Sequence, residues 1–563
     1  MDRPWLRFYE KGIPRSLNIP DISMTDLFDQ AVAENPSGVV ISYFGKKMTF
    51  AELGRSVEQF AIALSRLGVR EGDRVALIMP NIPQYPIAHF AVMKLGAVLV
   101  PTNPLYVERE LEYQLNNSEA ETAVVLDLVY PKVAKIKHKT ALNNIIVTSV
   151  HEYFPWLLKW LYPIKAKTDG KWVKIDRGPG THFFRDLMQE KFPVPLPKVD
   201  IKAKDTAMLL YTGGTTGVSK GAVLTHKNFV ANVMQTRHWY SGLEEGKEVI
   251  VCALPFFHSY GLTTCLHFAI YLKSTMVLIP NPRDVKFVLK SIQKNHATLF
   301  SGVPTLYVAI NNFANVGKYD LSSIKKCVSG GAPLPLTVAK EFESITGGKL
   351  VEGYGLSETS PVTHVNPINS KRKEGSIGLP VPNTDARVVD PETKKPLPVG
   401  EVGELAVKGP QVMKGYWKME AATKEVLRNG WLYTGDMARM DEEGYFYIVD
   451  RKKDMIIAGG FNIFPREVEE VLFEHPKILE AAVIGVPDEY RGETVKAFIV
   501  CKRGETLTEE EVIEYCKEKM APFKAPKLVE FRQGLPKSNI GKVLRRVLAE
   551  EEKAKARVPQ NLQ

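Results

Sequence analysis

Up to about residue 300, short apolar runs such as RVALIMP, AVLVPT and AVVLD alternate with stretches of helical period, Phe50 to Leu67 and Gln84 to Leu95 among them. That alternation predicts an α/β architecture. From Glu401 to Asp450 the pattern shortens to the strand-like segments GELAVKG and GYFYIVD with DEEG as turn chemistry, so a β-rich region is expected there. After the polar run DRKKD comes a compact α/β tail, in which Thr508 and Glu511 have capping-box spacing ahead of Val512, Ile513, Cys516 and Met520 on one helical face. The expected division is 1–450, a short connection at 451–453, and 454–563.

Between Ser149 and Pro193 the rhythm breaks into VHEYFPWLLKWLYPIKAK and then the polar TDGKWVKIDRGPG, which reads as an insertion at 150–193. Phe154, Trp156, Leu157, Leu158, Trp160, Leu161 and Tyr162, with Lys159, Lys165 and Lys167, suit a peripheral contact of segment 152–167 with an anionic membrane. They suit equally a helix covering an apolar face of its own protein. Pro155 and Pro163 predict no more than about two helical turns between them.

Composition narrows the class. A chain of 563 residues exceeds one compact core, and 44% hydrophobic with 25% charged residues is ordinary for a globular protein. Lys and Arg total 74 against 64 Asp and Glu, an excess of 10 that suits anionic small molecules. No basic run interleaved with aromatics occurs, so nucleic acid is not expected as a partner. Cys252, Cys265, Cys327, Cys501 and Cys516 form no C-x-x-C pair, which excludes a disulfide framework or zinc site and fits a reducing cytoplasm. The first residues carry charge and proline where a signal peptide needs an apolar run, and no stretch reaches the roughly 20 apolar residues of a membrane span.

The segment YTGGTTGVSKG, Tyr211 to Gly221, lies between two apolar runs, Ala207 to Leu210 and Ala222 to Leu224. Gly213, Gly214 and Gly217 let backbone N–H groups approach an anion, Thr212, Thr215, Thr216 and Ser219 add hydroxyls, and Lys220 adds charge. It is a polyphosphate grip. It is not a Walker A loop, because Lys220 precedes Gly221 and a strand follows.

This loop is similar to that of the adenylate-forming superfamily of acyl-CoA synthetases, luciferases and peptide-synthetase adenylation domains. The resemblance continues in order through LPFFHSYG, SGGAPL, EGYGLSETS, YTGD, VDRKKDMIIAGGFNIFPREVE and LPKSNIGKVLRR, from about residue 25 to 550. It implies a large N-terminal AMP-binding domain of doubly wound α/β subdomains with a β-rich, barrel-like subdomain. A small, mobile α+β C-terminal domain follows. A homodimer is a further family-based expectation.

What the resemblance implies residue by residue is an adenylation site. Gly330, Gly331, Ala332 and Pro333 form the adenine slot with Gly353, Tyr354 and Gly355; Tyr354 stacks on the base. Ser357, where the family usually has threonine, bonds phosphate, and Glu358 holds Mg²⁺. Asp436, assisted by Arg451, takes the ribose hydroxyls, and His258 lines and gates the acid pocket. Lys542 bridges the carboxylate and the α-phosphate as charge develops. The cofactors and co-substrates are therefore ATP, Mg²⁺ and CoA.

Thioester formation requires a second step at the same centre, and the resemblance gives it to a rotation about Lys453 that replaces Lys542 by the loop of Gly459, Gly460 and Phe461. Ile457 stands where luciferase-like members carry lysine, which favours a CoA ligase over oxidative chemistry. The wording NPLYVERELEYQLNNSEAE is closest to bacterial and archaeal long-chain fatty acid:CoA ligases. Medium-chain or aryl acids, or a carrier protein as acyl acceptor, stay open as alternatives. A non-catalytic nucleotide sensor is disfavoured by the presence of Lys542, Glu358 and Thr215 together.

Overall fold

The computed structural model describes residues 3–170, 172–190, 195–212, 219–451, 454–458, 461–488, 491–538 and 543–557. Within these, the strands assemble into four sheets. Two large ones form the α/β body. One has eight strands, in the order Gly415–Tyr416, Lys220–Thr225, Thr206–Thr212, Val98–Pro101, Arg74–Ile78, Thr122–Leu126, Asn144–Thr148 and Thr181–Phe183. The other has nine and runs from Leu379–Pro380 through Lys349–Gly355 and Lys326–Ser329 to Val39–Tyr43 and Lys46–Thr49. Their central pairings are parallel, so each crossover needs a covering helix, which explains the near-continuous burial of strands such as Thr122–Leu126.

The helices that cover these sheets begin as the sequence dictates. Thr49 accepts from the Glu52 amide while Glu52 caps the Thr49 amide, starting Phe50–Arg66, whose Phe50, Leu53, Val57, Phe60 and Leu64 are buried at helical spacing. Gln84–Lys94 is buried all round, as a helix between two layers must be. One continuous apolar core runs from Trp5 to Phe446.

The β-rich region is a five-stranded antiparallel sheet built on Trp431–Met440, which pairs with Gly403–Lys408 on one side and Phe446–Arg451 on the other. Gly444, at φ +83°, closes the DEEG turn with its amide donating to the Asp441 carbonyl. The small C-terminal domain is a separate five-stranded sheet with one apolar cluster around Ile456, Val468 and Cys516 and another around Phe498 and Leu548. Its Thr508–Glu511 capping box forms as expected.

One expectation about the insertion is corrected. Helix Trp156–Thr168 runs through Pro163 for 13 residues, where no more than about two turns were expected. Proline removes only one N–H donor, and Tyr162, stacked on the His151 ring at 4.9 Å, holds the helix immediately before it. The aromatic group also splits: Phe154 is buried against Phe44, whereas Trp156 and Trp160 face outward.

Candidate functional site

The two strands flanking the glycine loop pair antiparallel with Tyr211 opposite Gly221 and Thr212 opposite Lys220, so the loop is the tip of a hairpin. Its exit is tied to its entry, because the Ser219 hydroxyl donates to the Thr212 carbonyl at 2.6 Å and the Tyr113 hydroxyl donates to the Ser219 carbonyl at 2.8 Å. Gly213, Gly214, Thr215, Thr216 and Gly217 lie outside the described residues. Thr212 and Lys220, at the two ends, line a cavity of about 880 Å³ that reaches most of the remaining predicted positions.

Beside Lys220 the strand Gly415–Tyr416 pairs with Lys220–Thr225 and brings Tyr416 into the cavity wall. The Lys220 ammonium stands 5.2 Å from the centre of the Tyr416 ring, and the Tyr416 hydroxyl donates to Glu358 Oε1 at 2.8 Å. Burial, then the adjoining Glu358 carboxylate, push the Tyr416 phenol well above its ordinary range, so it stays a donor. Glu358 is thereby aimed from Ser357–Thr359 into the cavity, where the Ser357 and Ser259 hydroxyl oxygens lie 3.3 Å apart.

The donor set fits Mg²⁺ as a phosphate-bound ion. Magnesium in such sites takes one or two carboxylates plus substrate phosphates and water, and Glu358 supplies a fixed carboxylate beside the phosphate hairpin. Among the described residues no cluster of three or more His, Cys, Asp or Glu forms an all-protein metal cage.

On the opposite wall Asp436 projects from Trp431–Met440 and is 5% exposed, its Oδ2 accepting from the Tyr354 hydroxyl at 2.6 Å. Tyr354 and Asp436 are thus one hydrogen-bonded unit joining the expected base and ribose positions. The Arg451 backbone pairs opposite Asp436. The slot at Gly330 is set by Tyr260, whose hydroxyl donates to the Val328 carbonyl at 2.8 Å; a Cβ on Gly330 would sit 3.1 Å from the Tyr260 ring. Gly355 is required by close approach too, since a side chain there would collide with the Pro361 carbonyl. Gly331, Gly353 and Gly355 line the cavity with Gly330; Ala332 and Pro333 are not part of its wall.

Leu254, Val303, Val328, Val362 and Val365 give the same cavity an apolar share of its wall, joined by Thr236 from helix His226–Trp239 and by Tyr240 immediately after it. His258 also lines this cavity, and burial pushes its imidazole down to about 4, leaving it neutral near pH 7. It is followed by a π-helical turn, Leu262–His267, that places Thr264 in the wall. Tyr416, Tyr260, Thr236 and Tyr240 were not among the expected residues. Nothing in their local sequence separates them from core aromatics or an ordinary buried helix face.

Lys453, Gly459, Gly460 and Lys542 lie outside the described residues, and of Arg451 and Phe461 only the backbone is described. Their surroundings are nonetheless defined. Asp450 accepts from the Arg466 amide at 2.8 Å and from Arg545 Nη1 at 3.0 Å, and Arg545 also pairs with Glu469. The segment after Lys542 is therefore tied to the last acid before the expected hinge. Arg466 reaches across to Glu352 at 3.8 Å, linking the small domain to the strand that carries Tyr354.

A cavity lined by the two ends of a glycine-loop hairpin, by a buried carboxylate bonded to a tyrosine and by apolar side chains suits an enzyme that takes a nucleotide and an organic co-substrate. The chain belongs to the AMP-binding enzyme family: that family's profile matches residues 28–417 and its C-terminal domain profile matches 467–542. It is 48% identical over 552 residues to a long-chain-fatty-acid–CoA ligase of Bacillus subtilis (strain 168), covering 98% of each chain. It is 43% identical over 560 residues to one of Escherichia coli O6:H1, covering 99% of each. Among solved structures, an anthranilate CoA ligase in complex with anthranoyl-AMP superposes with TM-score 0.84 at 27% identity, covering 96% of this chain and 99% of that one. ATP-bound MatB from Rhodopseudomonas palustris gives 0.82 at 31%, covering 94% and 99%.

Proposed function

We propose that the chain is an ATP-dependent long-chain fatty acid:CoA ligase that works through an acyl-adenylate. The observation that carries this reading is one cavity whose wall takes in both ends of the glycine-loop hairpin, the Tyr354–Asp436 pair and the apolar side chains of Leu254, Val303 and Val365. Full-length relatives at 43–48% identity that bear this activity in their names support it.

In the first half-reaction a carboxylate oxygen bonds to the α-phosphorus and the bond to the β-phosphate oxygen breaks, releasing pyrophosphate. The hairpin from Thr212 to Lys220 holds the leaving group, Asp436 holds the ribose, and the Gly330–Gly331 backbone receives the base. Lys542 neutralises the charge that builds between carboxylate and phosphate. Mg²⁺, held by Glu358 and phosphate oxygens, would supply further charge neutralisation. Neutral His258 lines the same cavity and neither repels nor traps the carboxylate. In the second half-reaction the CoA sulfur bonds to the acyl carbon and AMP leaves with the oxygen it gained. Rotation about Lys453 would exchange Lys542 for Gly459 and Gly460 at the centre between the two steps. Five free cysteines fit a reducing cytoplasm as the place of work.

The test is acid-dependent pyrophosphate release across a panel from acetate to oleate and benzoates, for the wild type and Lys542→Ala. Release that rises with chain length and is lost in the variant is expected. A preference for benzoates, or release unchanged in Lys542→Ala, would overturn the assignment of acid or of residue.

A further inference from the structure

Helix Trp156–Thr168 leaves a large apolar face open. Trp156 is 76% exposed, Trp160 78% and Ile164 64%, at i, i+4 and i+8, with Leu157 and Leu161 half-exposed beside them. Six of the sixteen exposed large hydrophobics among the described residues fall within these nine positions. Scattered exposed leucines are ordinary, but a contiguous stripe with two tryptophans marks an interaction surface. The opposite side of the same helix is firmly seated: Ala166 is buried, and Tyr162 packs on His151 and edge-on to Phe154 at 5.6 Å. Phe154 in turn packs on Phe44 at 4.6 Å. The outward face is therefore presented by a fixed platform and is not left over from a loose segment.

The charge on the helix selects the occupant. Residues 156–168 include Lys159, Lys165 and Lys167 and no Asp or Glu. None of the three is paired with a carboxylate among the described residues, and Lys167 lies over the Trp172 ring, itself half-exposed. A second copy of the chain docked symmetrically on this face would set the same lysines against one another. Tryptophan beside lysine, with leucine and isoleucine below, is the composition of a helix lying in a lipid interface, where indole sits at headgroup depth and ammonium meets lipid phosphate. At 13 residues the helix is about 20 Å long. That is shorter than the roughly 30 Å of a hydrocarbon core, and no helix among the described residues is long and apolar enough to cross a membrane.

We infer that the Trp156–Ile164 face is a peripheral docking site for an anionic lipid bilayer, on which the enzyme lies with this helix parallel to the surface. The inference rests on the surface alone and holds whichever acid the cavity takes.

Flotation of the full chain with phosphatidylglycerol and with phosphatidylcholine vesicles tests it, using Trp156→Ser/Trp160→Ser and Lys159→Glu/Lys165→Glu/Lys167→Glu. The wild type is expected to float with phosphatidylglycerol, the tryptophan variant to lose about tenfold or more of that partition, and the lysine variant to lose its preference for the anionic vesicles. Adenylate formation from a water-soluble short acid without vesicles, unchanged in both variants, shows that they are folded. Flotation of the tryptophan variant equal to wild type, or no wild-type flotation on the anionic vesicles, overturns the inference. So does light scattering that shows a wild-type dimer turned to monomer by the tryptophan substitutions without any vesicle binding, which would make the face a contact between copies.

Discussion

The body and the small C-terminal domain differ in what they bury: the deeply buried histidines among the described residues all lie in the body. In the body His89, His226, His267 and His364 are all no more than 1% exposed and are held uncharged by burial, His226 at about 4 and His267 and His364 at about 3. In the C-terminal domain charges are kept and matched: Arg545 with Glu469 and, across to the body, Asp450, Lys496 with Glu530 and Glu552, Arg532 with Glu551. A core of neutral groups has one good packing arrangement. A shell of ion pairs around two small apolar clusters can be re-paired, which suits the rotation proposed for that domain.

Acid should break the body first. A buried imidazole with a depressed pKa cannot take the proton that the unfolded chain takes, so its contribution is intact above about pH 6.5 and declines as pH falls toward about 4. Each such histidine costs about 1.4 kcal/mol per pH unit in that window, and with four of them the urea midpoint of the body should drop steeply between about pH 6.5 and pH 5. A flat midpoint would mean the histidines are paired and charged. Replacing Arg545 with Met is the next largest effect: it strands Glu469, whose carboxyl burial already raises, and should destabilise the C-terminal domain by about 3 kcal/mol in denaturant while leaving the body's transition in place. Loss of both transitions together would contradict the division. The smallest effect belongs to the bridge between the two regions. Glu352→Gln removes the carboxyl that faces Arg466, which burial pushes up to about 7 against the pull of that guanidinium, and should change the ratio of the two half-reaction rates by a few-fold, worth about 1 kcal/mol, with little change in stability.

The hairpin around the glycine loop was legible because its signal is local: apolar runs on either side fix both the strands and their pairing. That Asp436 and Glu358 share one cavity was legible through ordered motifs, but the groups that hold them were not. Tyr416 reaches Glu358 across 58 residues and Tyr354 meets Asp436 across 82, and no periodicity encodes such distances. The insertion shows the same limit at close range. Seven apolar residues in a row of nine looked alike in sequence, yet Phe154 and Tyr162 turn inward onto Phe44 and His151 while Trp156 and Trp160 turn outward. Which side faces the body depends on Tyr43 and Phe44, more than 100 residues upstream.

The adenylate is the centre of the account, and it leaves an atomic trace. If an acid oxygen bonds to the α-phosphorus and stays with AMP when CoA attacks, then oleate labelled with ¹⁸O in its carboxylate, incubated with ATP, Mg²⁺ and CoA, must transfer one labelled oxygen to AMP and none to pyrophosphate. Mass spectrometry of the products decides it. Label in AMP, abolished in Lys542→Ala, is the predicted result; unlabelled AMP, or label in a phosphate released with ADP, would contradict it.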